Sequence, residues 1–188
     1  MEILENSRRK LHLLPILSNL QAFRDALPAK ARGRRTLLAL DVSKTAIGLA
    51  GSDPEWRLAT PLATIRRNRL KNDLAALQGW LEAREAGAVI IGLPLNMDGS
   101  EGPRCQSIRQ FARDADLAFG LPILLWDERL TTFAAGERAD EMGLKGKKRA
   151  EMLDALAACL ILEDAIAAMA LRPKRNDQRG SEKLKPNQ

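Results

Sequence analysis

Apolar and polar positions follow two rhythms along this chain. Nearly continuous apolar runs stand at Thr36 to Val42, Ala88 to Leu93 and Leu121 to Trp126. Each is bounded by charge or turn residues and has the length of a buried strand. Ala46 to Gly51 sets Ile47 and Leu49 among small residues. It follows the first run too closely for a parallel return, so the two predict a hairpin. Arg57 to Ile65 reads as a third strand, and Pro54 and Pro61 favour a place for it at the sheet edge. Elsewhere the period lengthens. Leu70, Leu74, Leu77 and Leu81 recur at helical spacing, with Gly87 marking the expected helix end. Ile108, Phe111, Ala112, Ala115 and Phe119 form a second helical stripe behind Pro103, which suits a first turn. Residues 148 to 170 predict a last long helix.

This order predicts an antiparallel three-stranded meander. Two later strands, joined through helices, then run parallel to each other and to the first. The fold class is α/β: a mixed five-stranded sheet flanked by helices, spanning residues 36–171. Residues 1–35 mix charge with Pro15, Pro28 and the basic run Lys30 to Arg35, and are expected to form an N-terminal extension, partly helical around Ser18 to Leu27 or disordered. Residues 172–188 are polar, basic and aperiodic, and are expected to be a disordered tail.

Composition narrows the chemistry. With 188 residues, 45% of them hydrophobic, the chain can bury one core of ordinary size. No apolar run approaches the roughly 20 residues that cross a bilayer, and a cytoplasmic protein is expected. Cys105 and Cys159 fall in predicted helices without zinc spacing and read as buried thiols of a reducing compartment. The net charge of +6 tilts the expected partner toward a polyanion. The single histidine, His12, lies in the extension. A histidine base or ligand within the folded domain is therefore excluded, and hydrolysis would have to run on carboxylates, lysine or metal ions.

The candidate carboxylates lie at core edges, where an uncompensated charge is costly. Asp41 ends the run Leu37 to Leu40, and Asp127 and Glu128 end the run Ile123 to Trp126. Both places are carboxyl ends of parallel strands, where open α/β sheets bind ligands. Asp154 shares a helix line with Ala158, Ile161 and Ala165, so it lies on a packed face. Hard oxygen ligands of this kind suit divalent cations. Strand alternation lets only one of Asp127 and Glu128 join Asp41 and Asp154. Alternation by itself leaves open which of the two it is. Ser43, Lys44 and Thr45 occupy a hairpin tip suited to phosphate. The loop Gly92 to Arg104, with Asn96 and Arg104, opens a helix whose N-terminus can take an anion.

These segments resemble the YqgF/RuvX family. The resemblance rests on Leu40 to Asp53, Val89 to Phe111, Trp126 to Ala135 and Leu153 to Leu162. Its most specific motifs are Gly-Leu-Pro-Leu-Asn-Met-Asp-Gly-Ser-Glu-Gly-Pro and Asp-Glu-Arg-Leu-Thr-Thr. It implies an RNase H-like fold and a bacterial cytoplasmic nuclease that uses Mg²⁺ or Mn²⁺, with two ions expected. Carried over, Asp41, Asp127 and Asp154 become the metal-binding and catalytic acids, with Glu128 beside them. Lys44, Asn96, Arg104, Arg129 and Thr131 become nucleic-acid contacts. The implied substrate is the 5′ end of pre-16S rRNA, in ribosome biogenesis. The alternatives are a Holliday junction resolvase acting on branched DNA, which would act as a homodimer rather than a monomer, and a catalytically weak RNA-binding module. An actin-type ATPase relative is disfavoured, because a second phosphate loop is missing. The chain departs from the family pattern after Asp41: Ser43 stands in the usual glycine position, Thr45 in the usual lysine position, and the cation moves to Lys44.

Overall fold

The structure, a computed structural model, describes residues 16–17, 19–27, 35–128 and 131–170. Among them, six strands form one sheet: β1 (Ile16–Leu17), β2 (Thr36–Val42), β3 (Ala46–Ser52), β4 (Ala59–Arg66), β5 (Ala86–Leu93) and β6 (Ile123–Asp127). Their spatial order is β1-β6-β5-β2-β3-β4. β2, β3 and β4 are the antiparallel meander. β5 and β6 run parallel to each other, and β5 runs parallel to β2. β4 takes the edge, as its prolines predict. The opposite edge carries β1, two residues from the stretch expected to be an extension, paired parallel to β6.

The helices are α1 (Leu20–Ala26), α2 (Leu70–Ala83), α3 (Pro103–Phe119), α4 (Thr131–Glu141) and α5 (Gly146–Ala170). Alternation along the strands feeds two cores. On one face Leu38, Leu40, Leu49 and Ile91 meet Leu77 of α2 and Phe111 of α3. On the other, Leu37, Ala39, Ala50 and Ile90 meet Ala158, Ile161 and Leu162 of α5, with Leu17, Phe23 and Leu27 closing the same cluster. A third cluster joins α5 to α4 through Ala135, Ala139, Leu156 and Ala157. Pressed between the sheet and α4, α5 is apolar around most of its circumference.

Two expectations change. Gly87 lies inside β5 rather than at a helix end. The left-handed turn after α2 falls on Glu85, at φ 48°. The helix α4 is not announced by a long apolar stripe, because it docks through small alanines. The remaining boundaries agree within about two residues. His12, Lys30 to Arg35 except Arg35 itself, and the basic tail after Ala170 lie outside the described residues.

Candidate active site at the carboxyl end of the sheet

β2, β5 and β6 run in one direction, so Asp41, Leu93 and Asp127 reach the same sheet edge. Which acids meet there is decided by alternation. Leu40 packs toward α2 and α3, so its neighbour Asp41 faces α5. Along β6, Leu125 belongs to the α2–α3 core and Trp126 packs on the α5 side. Asp127 follows Leu125, and Glu128 follows Trp126. The ladder reaches Glu128, whose N–H donates to the Leu93 carbonyl at 3.2 Å.

Two glycines make room on that face. A Cβ at Gly92 would lie 1.8 Å from Oε2 of Glu128 and 2.7 Å from Cδ1 of Ile161, so the Glu128 carboxylate occupies the space a side chain would take. A Cβ at Gly48 would lie 1.9 Å from the carbonyl oxygen of Asp154. Gly48 pairs with Asp41 across the hairpin, so the backbone of α5 rests on β3 directly beside Asp41. Thr64, opposite Gly48 on β4, donates its hydroxyl to the Glu151 carbonyl at 2.7 Å and pins the same turn of α5.

Asp41, Glu128 and Asp154 therefore share one face, and their protonation reflects it. Burial, then repulsion by Asp154, raises Asp41 to about 6, partly offset by Arg104. Burial raises Glu128 to about 8, with Asp41 and Asp127 adding repulsion and Arg104 again opposing. Burial raises Asp154 as well, and Arg66 opposes it. Arg104 supplies positive charge to the first pair and Arg66 to the third. Pro94, Leu95, Asn96, Gly102, Pro103, Arg104 and Glu128 line a cavity of about 410 Å³ beside these groups.

The sequence-predicted site residues divide accordingly. Asp41 and Asp154 come together, and Glu128 rather than Asp127 joins them. Asp127 is exposed and lines a separate cavity of about 460 Å³ with Leu125, Trp126 and Asp164. The expected set Asp41, Asp127, Asp154 thus changes at one position, because the alternation that seats Trp126 against α5 seats Glu128 there too. Asn96 and Arg104 line the site. Asn96 also holds its loop, with Nδ2 donating to Ser100 Oγ at 2.9 Å and the Ser100 carbonyl accepting from its N–H at 2.9 Å. Lys44 is exposed at the hairpin tip. Arg129 lies outside the described residues, as does the side chain of Thr131.

Ser43 is part of the turn itself. Its hydroxyl accepts from the Ala46 N–H at 3.0 Å, and its own N–H donates to the Ala46 carbonyl at 2.9 Å. Arg67 braces this tip by donating from Nη1 to the Ser43 carbonyl at 2.8 Å. Arg67 is itself held 3.2 Å from the buried carboxylate of Asp73. Sequence reading passed over Arg66, Arg67 and Asp73. The signal available was the basic run Arg66-Arg67-Asn68-Arg69-Leu70-Lys71 at a strand–helix junction.

The donor set is all carboxylate oxygen, the chemistry a hard divalent cation takes. Two partly buried acids that repel each other, offset in part by the charge of Arg104, form a site that added positive charge would relieve. Among the described residues, no three or more His, Cys, Asp or Glu side chains form a group that could hold a metal ion as they stand. No described helix is long and apolar enough to cross a membrane.

Residues 35–168 match the family described as RuvX, Holliday junction resolvase. A protein of Roseobacter denitrificans named "Putative pre-16S rRNA nuclease" is 43% identical over 165 residues, which are 87% of this chain and 99% of that one. A protein of the same name from Novosphingobium aromaticivorans is 48% identical over 135 residues, 72% of this chain and 86% of its own length. Among solved structures, Thermus thermophilus RuvC in complex with a Holliday junction substrate aligns over 72% of this chain and 96% of its own. That alignment has 18% identity and a TM-score of 0.48. The match over residues 35–168 and relatives at this identity over most of their length show that the chain belongs to the RuvX family.

Proposed function

We propose that this protein is a metal-dependent nuclease that processes the 5′ end of pre-16S rRNA. The observation that carries the reading is the convergence of Asp41, Glu128 and Asp154 on one face of the sheet's carboxyl end, beside Arg104. In this reading Asp41, Glu128 and Asp154 hold Mg²⁺ or Mn²⁺, and Asp127 stands outside the set. A bound divalent cation supplies the charge that makes water a nucleophile at neutral pH and stabilises the leaving oxygen of a phosphodiester. The chain does the rest. Gly92 and Gly48 let the Glu128 carboxylate and the Asp154 turn of α5 close onto Asp41. Arg104, on the first turn of α3, meets the phosphate and offsets its charge. Asn96 fixes the loop that carries this wall of the site. Contacts to phosphate carry no sequence information, so the cleavage position is set by the shape of the RNA or by the precursor particle that presents it.

The test is cleavage of a 5′-extended pre-16S RNA with Mg²⁺ by wild type, Asp41→Asn, Glu128→Gln and Asp127→Asn. Outer-shell changes at metal sites cost about 10–100-fold, so Asp41→Asn and Glu128→Gln should each lose about 100-fold or more. Asp127→Asn should retain activity within about tenfold. Full activity in Asp41→Asn would overturn the reading, and the reverse order of Glu128 and Asp127 would overturn the ligand set. The family's own description names Holliday junctions, so a four-way DNA junction belongs in the same assay. Cleavage of the junction alone would transfer the assignment to DNA.

A further inference from the structure

The junction between β4 and α2 carries Arg66, Arg67, Arg69 and Lys71 within six residues, and alternation gives the first two different tasks. Ile65 packs toward α2 and α3, whereas Thr64 bonds the Glu151 carbonyl of α5. Arg66 therefore leaves the sheet on the α5 face, one step beyond Thr64 toward the open end. It is exposed, it pairs with Ala46 across β3, and its charge reaches Asp154.

Arg67 points to the other face and is occupied there. It holds Asp73 and the Ser43 carbonyl, and its guanidinium lies 5.5 Å from the centre of the Phe111 ring. Its backbone N–H also donates to the Thr45 carbonyl at 2.9 Å. The hairpin tip with Lys44 is thus fixed alongside Arg66. Lys147 stands one turn before Glu151 on α5. Its side chain is 91% exposed, and its ion pair with Glu151 is long, at 3.7 Å. Lys44 at the β2–β3 tip, Arg66 at the end of β4 and Lys147 one turn before Glu151 accordingly lie toward the β3–β4 side of the sheet, while Arg104 stands at the start of α3 beside Glu128.

We propose that Arg66, Lys44 and Lys147 form a second phosphate-binding flank, across the acids from Arg104, which holds the nucleic-acid backbone beside the scissile phosphate. The proposal rests on the nucleic-acid reading above and adds the direction in which the strand crosses the site. Three strand spacings of about 4.8 Å separate β5 from β4, roughly 14 Å in all. Arg66 and Arg104 are therefore far enough apart to meet different phosphates of one strand.

The test is binding rather than cleavage, in the full-length chain with Asp41→Asn to prevent turnover. Affinity for the 5′-extended RNA is measured from 50 to 200 mM KCl, with Arg66→Ala, Arg66→Lys, Arg66→Ala with Lys147→Ala, and Arg113→Ala as a control. Arg113 is exposed on α3 and bonded to Gln110. Each lost phosphate contact should lower the slope of log affinity against log salt by about one, or about fourfold across this salt range. Arg66→Ala should lose one such increment and the double variant two, while Arg66→Lys and Arg113→Ala keep the parent slope. A purely structural arginine would not move this slope. Unchanged slopes in Arg66→Ala and the double variant, with tight binding by the parent, would overturn the flank and leave the nuclease reading standing. A parent that binds no RNA and no four-way junction would overturn both.

Discussion

Glu128 is held between packing and repulsion. Its carboxylate fills the space above Gly92, and burial with repulsion from Asp41 and Asp127 lifts its titration to about 8. Because this is above the ordinary 4.5, the folded protein binds more protons than the unfolded chain between those values. Stability must then fall as pH rises through that window. Asp41 adds the same sign between 3.8 and about 6. In EDTA, the melting temperature should be lower at pH 9 than near pH 5. Glu128→Gln should flatten the upper part of this dependence and melt higher than wild type at pH 9. Thermal melts across pH 5–9 check this, and a variant with the wild-type slope would place the proton elsewhere. Added Mg²⁺ should raise the melting temperature of wild type more at pH 8 than at pH 6, since a ligand of the folded state stabilises it and fewer protons then have to leave Asp41 and Glu128 for it to bind.

At the scale of elements, the site depends on how closely α5 sits on the sheet. Gly48→Ala would drive a methyl group into the backbone of Asp154, where a Cβ would lie 2.2 Å from the carbonyl carbon. Backbone cannot rotate away as a side chain can, so the helix must lift. Overpacking typically costs about 1–3 kcal/mol, and this contact belongs at the upper end. Activity should fall further than the lost stability explains, because Asp154 moves with the helix. Gly79→Ala is the matched control: nothing lies within 4 Å of its Cβ position, and the change should stabilise α2 by about 0.5–1 kcal/mol. Denaturant midpoints and activity at a temperature where all variants are folded separate the two effects.

The same packing explains what could be read in advance. The apolar runs announced β2, β3, β5 and β6 because most residues of each are buried, and runs of Leu, Ile, Val and Ala show that directly. Asp154 was legible because Ala158, Ile161 and Ala165 mark its helix line. Glu128 was not, because adjacent acids at a strand end are separated only by the face each takes, and that depends on which way Trp126 packs. The role of Gly48 depends on a helix more than 100 residues later in the chain. Arg67 and Asp73 are joined only when β4 turns into α2.

At the scale of the whole molecule, the question is whether the N-terminal segment belongs to the folding unit. The family match begins at residue 35, yet Phe23 is fully buried and shares a cluster with Leu124 of β6 and Ile161, Leu162 and Met169 of α5. Asn19 caps α1, its side-chain oxygen accepting from the N–H groups of Gln21 at 2.8 Å and Ala22 at 3.2 Å. β1 meanwhile pairs with the first residues of β6, the strand that ends at Asp127 and Glu128. A seven-residue helix is too short to persist in water by itself, so α1 owes its stability to this docking and contributes to the core in return. Phe23→Ala should cost about 3–5 kcal/mol, the usual loss for a buried aromatic. Unfolding should remain a single transition, monitored by far-ultraviolet dichroism and by the fluorescence of Trp56, Trp80 and Trp126 together. A cost below about 1 kcal/mol, or a separate early transition, would mean that the segment is an appendage. A full cost in one transition means that β1 and α1 support the strand that presents Glu128, so loss of this segment would weaken the candidate site by destabilising the fold beneath it.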